Sequence, residues 1–340
     1  MRGWLCVLLL LAACGGSGSN SSPQRDVTVA QLNILHGTSG MCNQLANCRL
    51  ADRIDLLYQW IGRSGCPDVV TLQEVWRDAL PLLREGAGAT CPFTYEVRVA
   101  NEPTPTKPLG PDESAVLSRY PILSIEQIPL FPGFRKAVHA VIDHPLGALD
   151  VYTTHLASGS DGATVSCIGS APCPEVCLLS GAQTRRDCQA IQMGEYVEAT
   201  HGDGPVIVTG DLNSEPGSFV YESFVDRGWQ DAYLAAGNPE CDPASGRGCT
   251  SGRQDENLSQ LESPASNEAE RIDYIFFIRA RNGFRCSSQP DTPTDRDGDG
   301  TATRLFADEP NPFASSCGAA PLPICWPSDH EGVQLDLNCD

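Results

Sequence analysis

The stretch that most constrains the fold is an apolar run from Val206 to Val208, which leads through Gly210 into Asp211 and Asn213. Such a run predicts a buried strand with polar groups at its carboxyl end. Because side chains two positions apart on a strand project to the same face, Asp211 and Asn213 are expected to share one space. There a carboxylate can orient a water or a metal, and an amide can donate to a developing oxyanion. The alternative is a turn in which Asp and Asn bond their own backbone.

Other apolar runs along the chain predict a layered α/β fold. Strands and helices alternate in the first part, and runs separated by turns in the middle have the appearance of antiparallel hairpins. This mixture favours α/β layers with mixed sheets over a purely parallel sheet. We see no internal repeat and no second tether, so one domain over residues 27–340 is the simpler prediction. Predicted strands cover 27–35, 67–75, 116–117, 122–128, 138–142, 149–155, 206–208, 272–278 and 333–337, and predicted helices cover 50–61, 184–199 and 219–226.

The chain is long and strongly acidic. Its 340 residues carry a formal net charge of −20, with an isoelectric point of about 4.6. Such a chain lacks the general electrostatic footprint of a protein that binds nucleic acid or an anionic membrane. The negative charge weakens the case for a polyanionic substrate but does not exclude one, because bound divalent cations can reverse the sign of the local charge.

The first residues are expected to be an export signal. Arg2 supplies a positive n-region, and residues 4–11 form an apolar core too short to span a bilayer. The following Leu-Ala-Ala-Cys resembles the bacterial lipobox, which predicts a lipoprotein signal peptide over residues 1–13 and lipidation of Cys14. The alternative is a plain secretory signal cleaved after Ala13. Residues 14–26 would then tether an exported protein to the bacterial cell envelope, at the outer membrane or cell surface, with the lipid as its only membrane contact.

Cysteine usage agrees with export. Without Cys6 in the signal and Cys14 at the lipid site, fourteen of the 16 cysteines remain, an even number that predicts a disulfide framework. Paired C-x-x-C knuckles are absent and only six histidines occur, so a zinc site is disfavoured. Short separations suggest local pairs: Cys42 with Cys48, Cys241 with Cys249, and pairs within Cys167, Cys173, Cys177 and Cys188.

Two segments are predicted to be surface insertions, at residues 238–267 and 282–326. The second contains Asp295, Asp297 and Asp299 followed by Gly300, which match positions 1, 3, 5 and 6 of a calcium loop. The twelfth position is Phe306 rather than the bidentate Glu of such loops. Calcium binding and a plain acidic turn therefore both stay open.

A series of short polar motifs follows the apolar runs in a recognisable order: Asn33 in QLNIL, Glu74 in LQEV, His155 in TTHLAS, Asp211 and Asn213 in GDLNSEP, Asp273 in RIDYIF, and Asp329 with His330 in SDHEGV. This order resembles the endonuclease/exonuclease/phosphatase superfamily, which includes DNase I-like nucleases and sphingomyelinases. The resemblance extends over residues 27–337. It implies a DNase I-like fold, a four-layer α/β sandwich of two mixed β-sheets packed face to face and flanked by helices.

The resemblance also implies roles for these residues. Glu74 would be the principal ligand of Mg²⁺ or Mn²⁺, with Asn33 beside it and Asp329 on the opposite side. Asp211 would orient or deprotonate the attacking water, and Asn213 would donate to the phosphoryl oxygens. Asp273 would orient His330, which with Asp211 is one of two candidates for the general base. His155 would bond a phosphate oxygen or act as general acid.

Taken one at a time, the motifs have ordinary structural explanations. Glu74 could begin a helix, His155 could be a core histidine, and Asp329 could belong to a cap or turn. The sequence also departs from the family at Leu212, where Phe is usual. In addition, the carboxylate of either Asp112 or Glu113 could accept a hydrogen bond from His155.

The joint pattern predicts an exported, divalent-metal-dependent phosphodiesterase or phosphoesterase. Its substrate would be either nucleic acid or phospholipid, and no protein partner can be inferred. A non-catalytic surface-binding lipoprotein that keeps the fold is the alternative.

Overall fold

The computed structural model describes residues 26–35, 46–110, 113–159, 162–169, 172–253, 260–265, 267–289, 303–314, 317 and 324–339. The predicted signal peptide, lipidation site Cys14 and most of the tether lie outside the described residues. So do Asp295, Asp297 and Asp299 of the calcium-like run, and Asp112. Among the described residues, no helix has the length and apolar character needed to span a membrane.

Fourteen strands and six helices make up the described chain. The helices are α1 (Leu50–Arg63), α2 (Ala79–Gly86), α3 (Glu175–Leu179), α4 (Arg185–Thr200), α5 (Phe219–Val225) and α6 (Ala232–Ala235). The strands are β1 (Asp26–Asn33), β2 (Val69–Val75), β3 (Glu96–Val99), β4 (Glu113–Ser118), β5 (Ile122–Leu130), β6 (Arg135–His144), β7 (Gly147–His155), β8 (Val206–Asp211), β9 (Gln230–Asp231), β10 (Asp273–Phe277), β11 (Ala280–Arg281), β12 (Phe284–Ser288), β13 (Arg304–Phe306) and β14 (Gly332–Cys339).

The strands form two mixed sheets. The eight-stranded sheet has the order β11-β12-β14-β1-β2-β4-β3, with β13 also paired to β14. The six-stranded sheet has the order β5-β6-β7-β8-β10-β9. The pairs β1–β2 and β7–β8 are parallel and every other pair is antiparallel. With helices covering both outer faces, the predicted four-layer sandwich is confirmed.

Alternation along each central strand divides the core into layers. On β1, Val27 and Val29 face the other sheet, whereas Ala30 and Leu32 pack with the helices on the outside. The strand β8 behaves in the same way, because Ile207 belongs to the inter-sheet core while its neighbours pack against α4 and α5. A strand buried on both faces needs a nearly continuous apolar run, which is why these strands are readable in the sequence.

Both segments predicted as surface insertions contribute buried residues. From residues 238–267, Thr250, Arg253 and Leu261 are buried, and from residues 282–326 the strands β12 and β13 pair with β14. Phe306, the twelfth position of the calcium-like run, is a buried residue of β13. Few apolar residues are needed here, because β13 and β12 are short and hydrogen-bond to a strand that already belongs to the core.

Disulfides join residues near in sequence and also fasten the edge of the larger sheet. The predicted local pairs are confirmed for Cys241–Cys249 and for both pairs of the 167–188 segment. Cys48 is disulfide-bonded, and its predicted partner Cys42 lies outside the described residues. The disulfides between described residues are Cys66–Cys91, Cys167–Cys173, Cys177–Cys188, Cys241–Cys249, Cys286–Cys339 and Cys317–Cys325.

A buried arginine on α1 connects the two chain segments that end next to the polar motifs. The Arg53 guanidinium donates to the carbonyl oxygens of Ile34 (2.6 Å), Leu35 (2.9 Å) and Pro327 (3.1 Å). It also donates to the carbonyl oxygen of Cys48 at 2.8 Å. Buried carbonyl groups need such partners, so Arg53 holds the end of β1 against the segment that precedes Asp329.

We expect the substitution Arg53→Met to reduce the free energy of unfolding by about 3 kcal/mol, because it leaves several buried carbonyl groups without a donor. Urea unfolding followed by circular dichroism measures the change. The matched control is Arg63→Met on the same helix, whose half-exposed side chain pairs with Glu309; it should cost less than about 1 kcal/mol. Equal losses in the two variants would contradict the role given to Arg53.

Candidate active site

The candidate site lies where the inter-sheet core changes from apolar to polar. Two hydrogen bonds cross between the sheets just below it: Thr71 Oγ1 to Thr209 Oγ1 at 2.8 Å, and Gln73 Nε2 to Thr153 Oγ1 at 2.9 Å. All four side chains are buried. One step further along the same strands, the inward-facing positions carry carboxylates, an amide and a histidine.

Asp211 is the centre of this polar group. It ends β8, and its direct neighbours in the sheet are His155 on β7 and Asp273 on β10. Its Oδ2 accepts a hydrogen bond from Asn33 Nδ2 (3.0 Å) and lies 3.4 Å from His155 Nε2 and 3.9 Å from His330 Nε2. One buried carboxylate oxygen therefore meets groups from both sheets.

Asn213 occupies a turn rather than the strand. Its backbone N–H donates to Asp211 Oδ1 at 2.8 Å, and its φ of 50° places it in the left-handed region that Asn tolerates. Its Nδ2 donates to the carbonyl oxygen of Leu156 at 2.9 Å. The turn suggested as an alternative is thus present, and it leaves the second oxygen of Asp211 facing the site.

Glu74 reaches the site through a β-bulge. On β2, Thr71 and Gln73 point between the sheets, so regular alternation would direct Glu74 outward. The β2–β4 register shifts between Leu72 and Val75, and Glu74 has a φ of 57°. A bulge of this kind re-aims a side chain. As a result, Glu74 Oε1 accepts from Asn33 Nδ2 at 3.0 Å and lies 3.9 Å from His155 Nδ1.

His330 and Asp273 form a buried pair at the other side of Asp211. His330 Nδ1 lies 2.9 Å from Asp273 Oδ2, and since a carboxylate only accepts, the ring nitrogen carries the proton. Thr250 fixes the backbone of this pair, because its Oγ1 accepts from the N–H of Asp273 at 3.1 Å and its carbonyl oxygen accepts from the N–H of Glu331 at 2.8 Å. The segment bearing Cys241–Cys249 therefore supports the pair from behind.

Electrostatics favour the charged form of His330. Burial alone lowers the pKa of His330, but the carboxylates of Asp273 and Asp329 outweigh that effect and hold the pKa well above its ordinary value. Burial raises the pKa of Asp273, and the nearby Asp211 adds to this direction. The imidazole is thereby set to offer an Nε2–H toward Asp211 and the space beside it.

Asp329 is held by its own chain segment. Ser328 Oγ donates to the carbonyl oxygen of Asn33 at 2.5 Å and lies 3.1 Å from Asp329 Oδ1, and the N–H of His330 donates to Ser328 Oγ at 3.2 Å. Burial raises the pKa of Asp329, and the charge of Glu74 raises it further. Two carboxylates that repel each other in a buried space would be relieved by a cation between them.

The donor set fits a hard divalent cation. Glu74 and Asp329 supply carboxylate oxygens, the ligands that Mg²⁺ takes while it keeps several waters. In this structure Asn33 directs Nδ2 toward Glu74 and Asp211, and its Oδ1 accepts from the N–H of Leu35 at 3.0 Å. Its predicted part as a ligand stays a prediction. Within the described residues, Asp211, Asp273 and His330 form a second group able to hold a metal, with ligand atoms within 4.8 Å of one another.

The structure brings the predicted site residues to one region, except the calcium-like run and the lipidation site Cys14, which lie outside the described residues. Of the two acids considered as partners of His155, Glu113 forms an ion pair with Lys136. Sequence reasoning missed Arg53 and Thr250, because their partners are backbone groups of distant segments. It considered Ser328 only as part of a cap or turn before the Asp-His pair.

Comparison with known proteins identifies the class to which this arrangement belongs. The model of the Endonuclease/Exonuclease/phosphatase family matches residues 30–330. The chain is therefore a member of that family. No curated protein matches the chain in sequence.

Solved structures share the fold at low sequence identity. TDP2 of D. rerio, complexed with a single strand DNA product, is 18% identical, with a TM-score of 0.59 over 92% of this chain and 99% of that chain. An endonuclease/exonuclease/phosphatase from Bacteroides vulgatus is 18% identical, with a TM-score of 0.57 over 93% and 99%. The mannosyl-6-phosphatase of Bacteroides thetaiotaomicron is 18% identical, with a TM-score of 0.56 over 92% and 99%.

In metal-free protein, we expect His330 to titrate above about 6.5, the value of an unperturbed histidine. The substitution Asp273→Asn should move this titration to lower pH, because it removes the neighbouring carboxylate. The contribution of the pair to stability is complete below the unfolded value and is lost as pH rises through the folded value. Imidazole proton NMR in EDTA measures the shift, with His330→Asn to assign the resonance. An unchanged titration in Asp273→Asn would refute this account.

Proposed function

We propose that the protein is a divalent-metal-dependent hydrolase of phosphoester bonds. The observation that carries the proposal is the convergence of Asn33, His155 and His330 on one buried oxygen of Asp211, with Glu74 bonded to the same amide nitrogen of Asn33. Family membership supports it, because the same polar groups occur in the family's order. A fold kept only for binding has no need of a buried Asp–His pair beside the carboxylates of Glu74 and Asp329.

The residues divide into a metal side and a nucleophile side. Glu74 and Asp329 would hold Mg²⁺ or Mn²⁺, and a bound ion would neutralise charge that develops on the phosphoryl oxygens. On the other side, Asp211 would accept a proton from the attacking water, oriented by the Asn33 amide. Such water activation by a positioned carboxylate needs hydrogen-bond reach, and Oδ2 is the oxygen of Asp211 that faces the other polar groups of the site.

The histidines would act on the phosphoryl group. Protonated His330 would donate from Nε2 to a phosphoryl oxygen while Asp273 holds the ring through Nδ1. His155 lies between Glu74 and Asp211 and would donate to another phosphoryl oxygen or protonate the leaving group. Asn213 is placed at the edge of the same space, beside the backbone of Leu156.

The substrate class is proposed from chemistry shared by the candidates. Nucleic acid and phospholipid both present a phosphodiester to such a site. Among the structural neighbours, TDP2 was crystallised with a DNA product and another is a mannosyl-6-phosphatase.

We also propose that the protein is exported and attached to the bacterial envelope through Cys14. The disulfides of the described chain support an oxidising compartment.

We expect metal-dependent turnover by the purified protein on at least one of plasmid DNA, sphingomyelin and bis-p-nitrophenyl phosphate. Activity should require Mg²⁺ or Mn²⁺, disappear in EDTA, and fall by about 10²–10⁴ in His330→Ala. The matched control is His201→Ala, whose partly exposed ring lies 3.0 Å from the carbonyl oxygen of Gly202. The proposal would be refuted if none of the three substrates is turned over, or if the His330→Ala and His201→Ala variants have equal activity.

Metal binding can be tested without turnover. We expect Glu74→Gln to weaken Mn²⁺ binding at least about tenfold, because it removes a ligand charge from the site. Titration calorimetry, or the electron paramagnetic resonance signal of unbound Mn²⁺, measures the affinity. Glu85→Gln on α2, away from the site, serves as the control. Unchanged affinity in Glu74→Gln would place the metal elsewhere, and the Asp211–Asp273–His330 group would be tested next.

A further inference from the structure

A polar cavity of about 550 Å³ opens beside the candidate active site. Asn213 lines it, and so do Ser214 and Glu215 of the turn after β8. Glu270, just before β10, and Arg186, at the start of α4, lie on other parts of its wall. The cavity thus adjoins the candidate site through Asn213, whose backbone N–H donates to Asp211, but nothing in the hydrolytic mechanism uses it.

Arg186 is placed in this cavity by a well-defined helix start. Thr184 and Asp187 form a capping box, in which Asp187 N–H donates to Thr184 Oγ1 at 3.2 Å and Thr184 N–H donates to Asp187 Oδ2 at 2.9 Å. The half-buried Arg186 makes a single 3.4 Å contact from its guanidinium to the carbonyl oxygen of Ala157. Among the described residues it has no ion-pair partner, although the charges of Asp211 and Glu270 act on it.

Two carboxylates share the cavity with this one guanidinium. The side chains of Glu215 and Glu270 are exposed, and neither forms an ion pair within the described part of the chain. Two negative groups and one positive group disfavour a second phosphate in this position. They suit a neutral group that has both donors and acceptors, since hydroxyls can accept from Arg186 and donate to the carboxylates.

Other occupants fit the wall less well. Nucleobases are bound chiefly by stacking on aromatic side chains, and none of the described lining residues is aromatic. An acyl chain needs a mainly apolar wall, whereas only Pro216 and Ile272 offer apolar side chains.

We propose that this cavity binds a hydroxyl-rich part of the substrate, a sugar or another neutral polyol, whose phosphoester lies at Asp211. Arg186 is then a substrate-binding residue that donates to hydroxyl oxygens, and Glu215 and Glu270 are their acceptors. The proposal rests on the proposed phosphoesterase function. The polyol can come from a soluble sugar phosphate or from the headgroup of a phosphoinositide-type lipid.

The first test measures binding without catalysis. Calorimetry in EDTA should detect a hexose 6-phosphate, and Arg186→Gln should weaken this binding at least about tenfold, as expected for loss of a charged hydrogen bond. The control is Arg185→Gln, an adjacent arginine that does not line the cavity; it should leave the affinity within about twofold. Thermal unfolding of both variants checks that the fold is kept. Equal weakening by the two substitutions, or none by Arg186→Gln, would overturn the proposal.

The second test compares substrates in Mg²⁺. Values of kcat/KM are measured for a hexose 6-phosphate, vesicles of phosphatidylinositol, vesicles of phosphatidylcholine, a single-stranded oligonucleotide and bis-p-nitrophenyl phosphate. A preference for the hexose phosphate or for phosphatidylinositol supports the polyol and identifies its source, and Arg186→Gln should lower that preference about tenfold.

The outcomes separate the two proposals. Metal-dependent turnover with no preference for a polyol substrate would overturn the cavity assignment and leave the phosphoesterase intact. No turnover of any substrate would overturn the phosphoesterase, and the calorimetric comparison would still decide whether the cavity binds a polyol.

Discussion

The site depends on one geometric constraint, the two-residue alternation of strands enclosed between two sheets. On β1, β7, β8 and β10 the inward positions are apolar at the end of the strand far from the site and polar at the end near it. The same set of positions therefore supplies the inter-sheet core and the catalytic wall. A polar group at the end of such a strand is held by the packing of the apolar residues before it, so its orientation costs little additional entropy.

This constraint explains which residues of the candidate site could be predicted from the sequence. His155 and Asp211 end apolar strands and Asp273 begins one, all in the inward register, so their meeting could be predicted from strand order and resemblance. Glu74 could be identified as a site residue from the sequence, but the direction of its side chain could not be predicted. That direction depends on a bulge and a positive φ, which have no recognisable sequence pattern here. The resemblance implied that Asn33 lies beside Glu74, but the bulge that brings the two together was visible only in the structure.

Other features were hidden because backbone groups of remote segments are their partners. Arg53 lies in an ordinary amphipathic helix, yet its guanidinium donates hydrogen bonds to carbonyl oxygens up to 274 residues away in the sequence. The strands β12 and β13 lack apolar periodicity because pairing with β14 supplies most of their stabilisation. Helix α2 was missed since Pro81 interrupts its pattern, although proline is tolerated in a first helical turn.

The position of β14 has a consequence for when the enzyme can become active. This strand pairs with β1 on one side and with β12 and β13 on the other, and the segment before it carries Asp329 and His330. A chain that ends before this segment thus lacks two of the eight predicted site residues, and β1 lacks the strand that pairs with it on that side. We therefore expect partial chains to lack the proposed activity until β14 has docked beside β1.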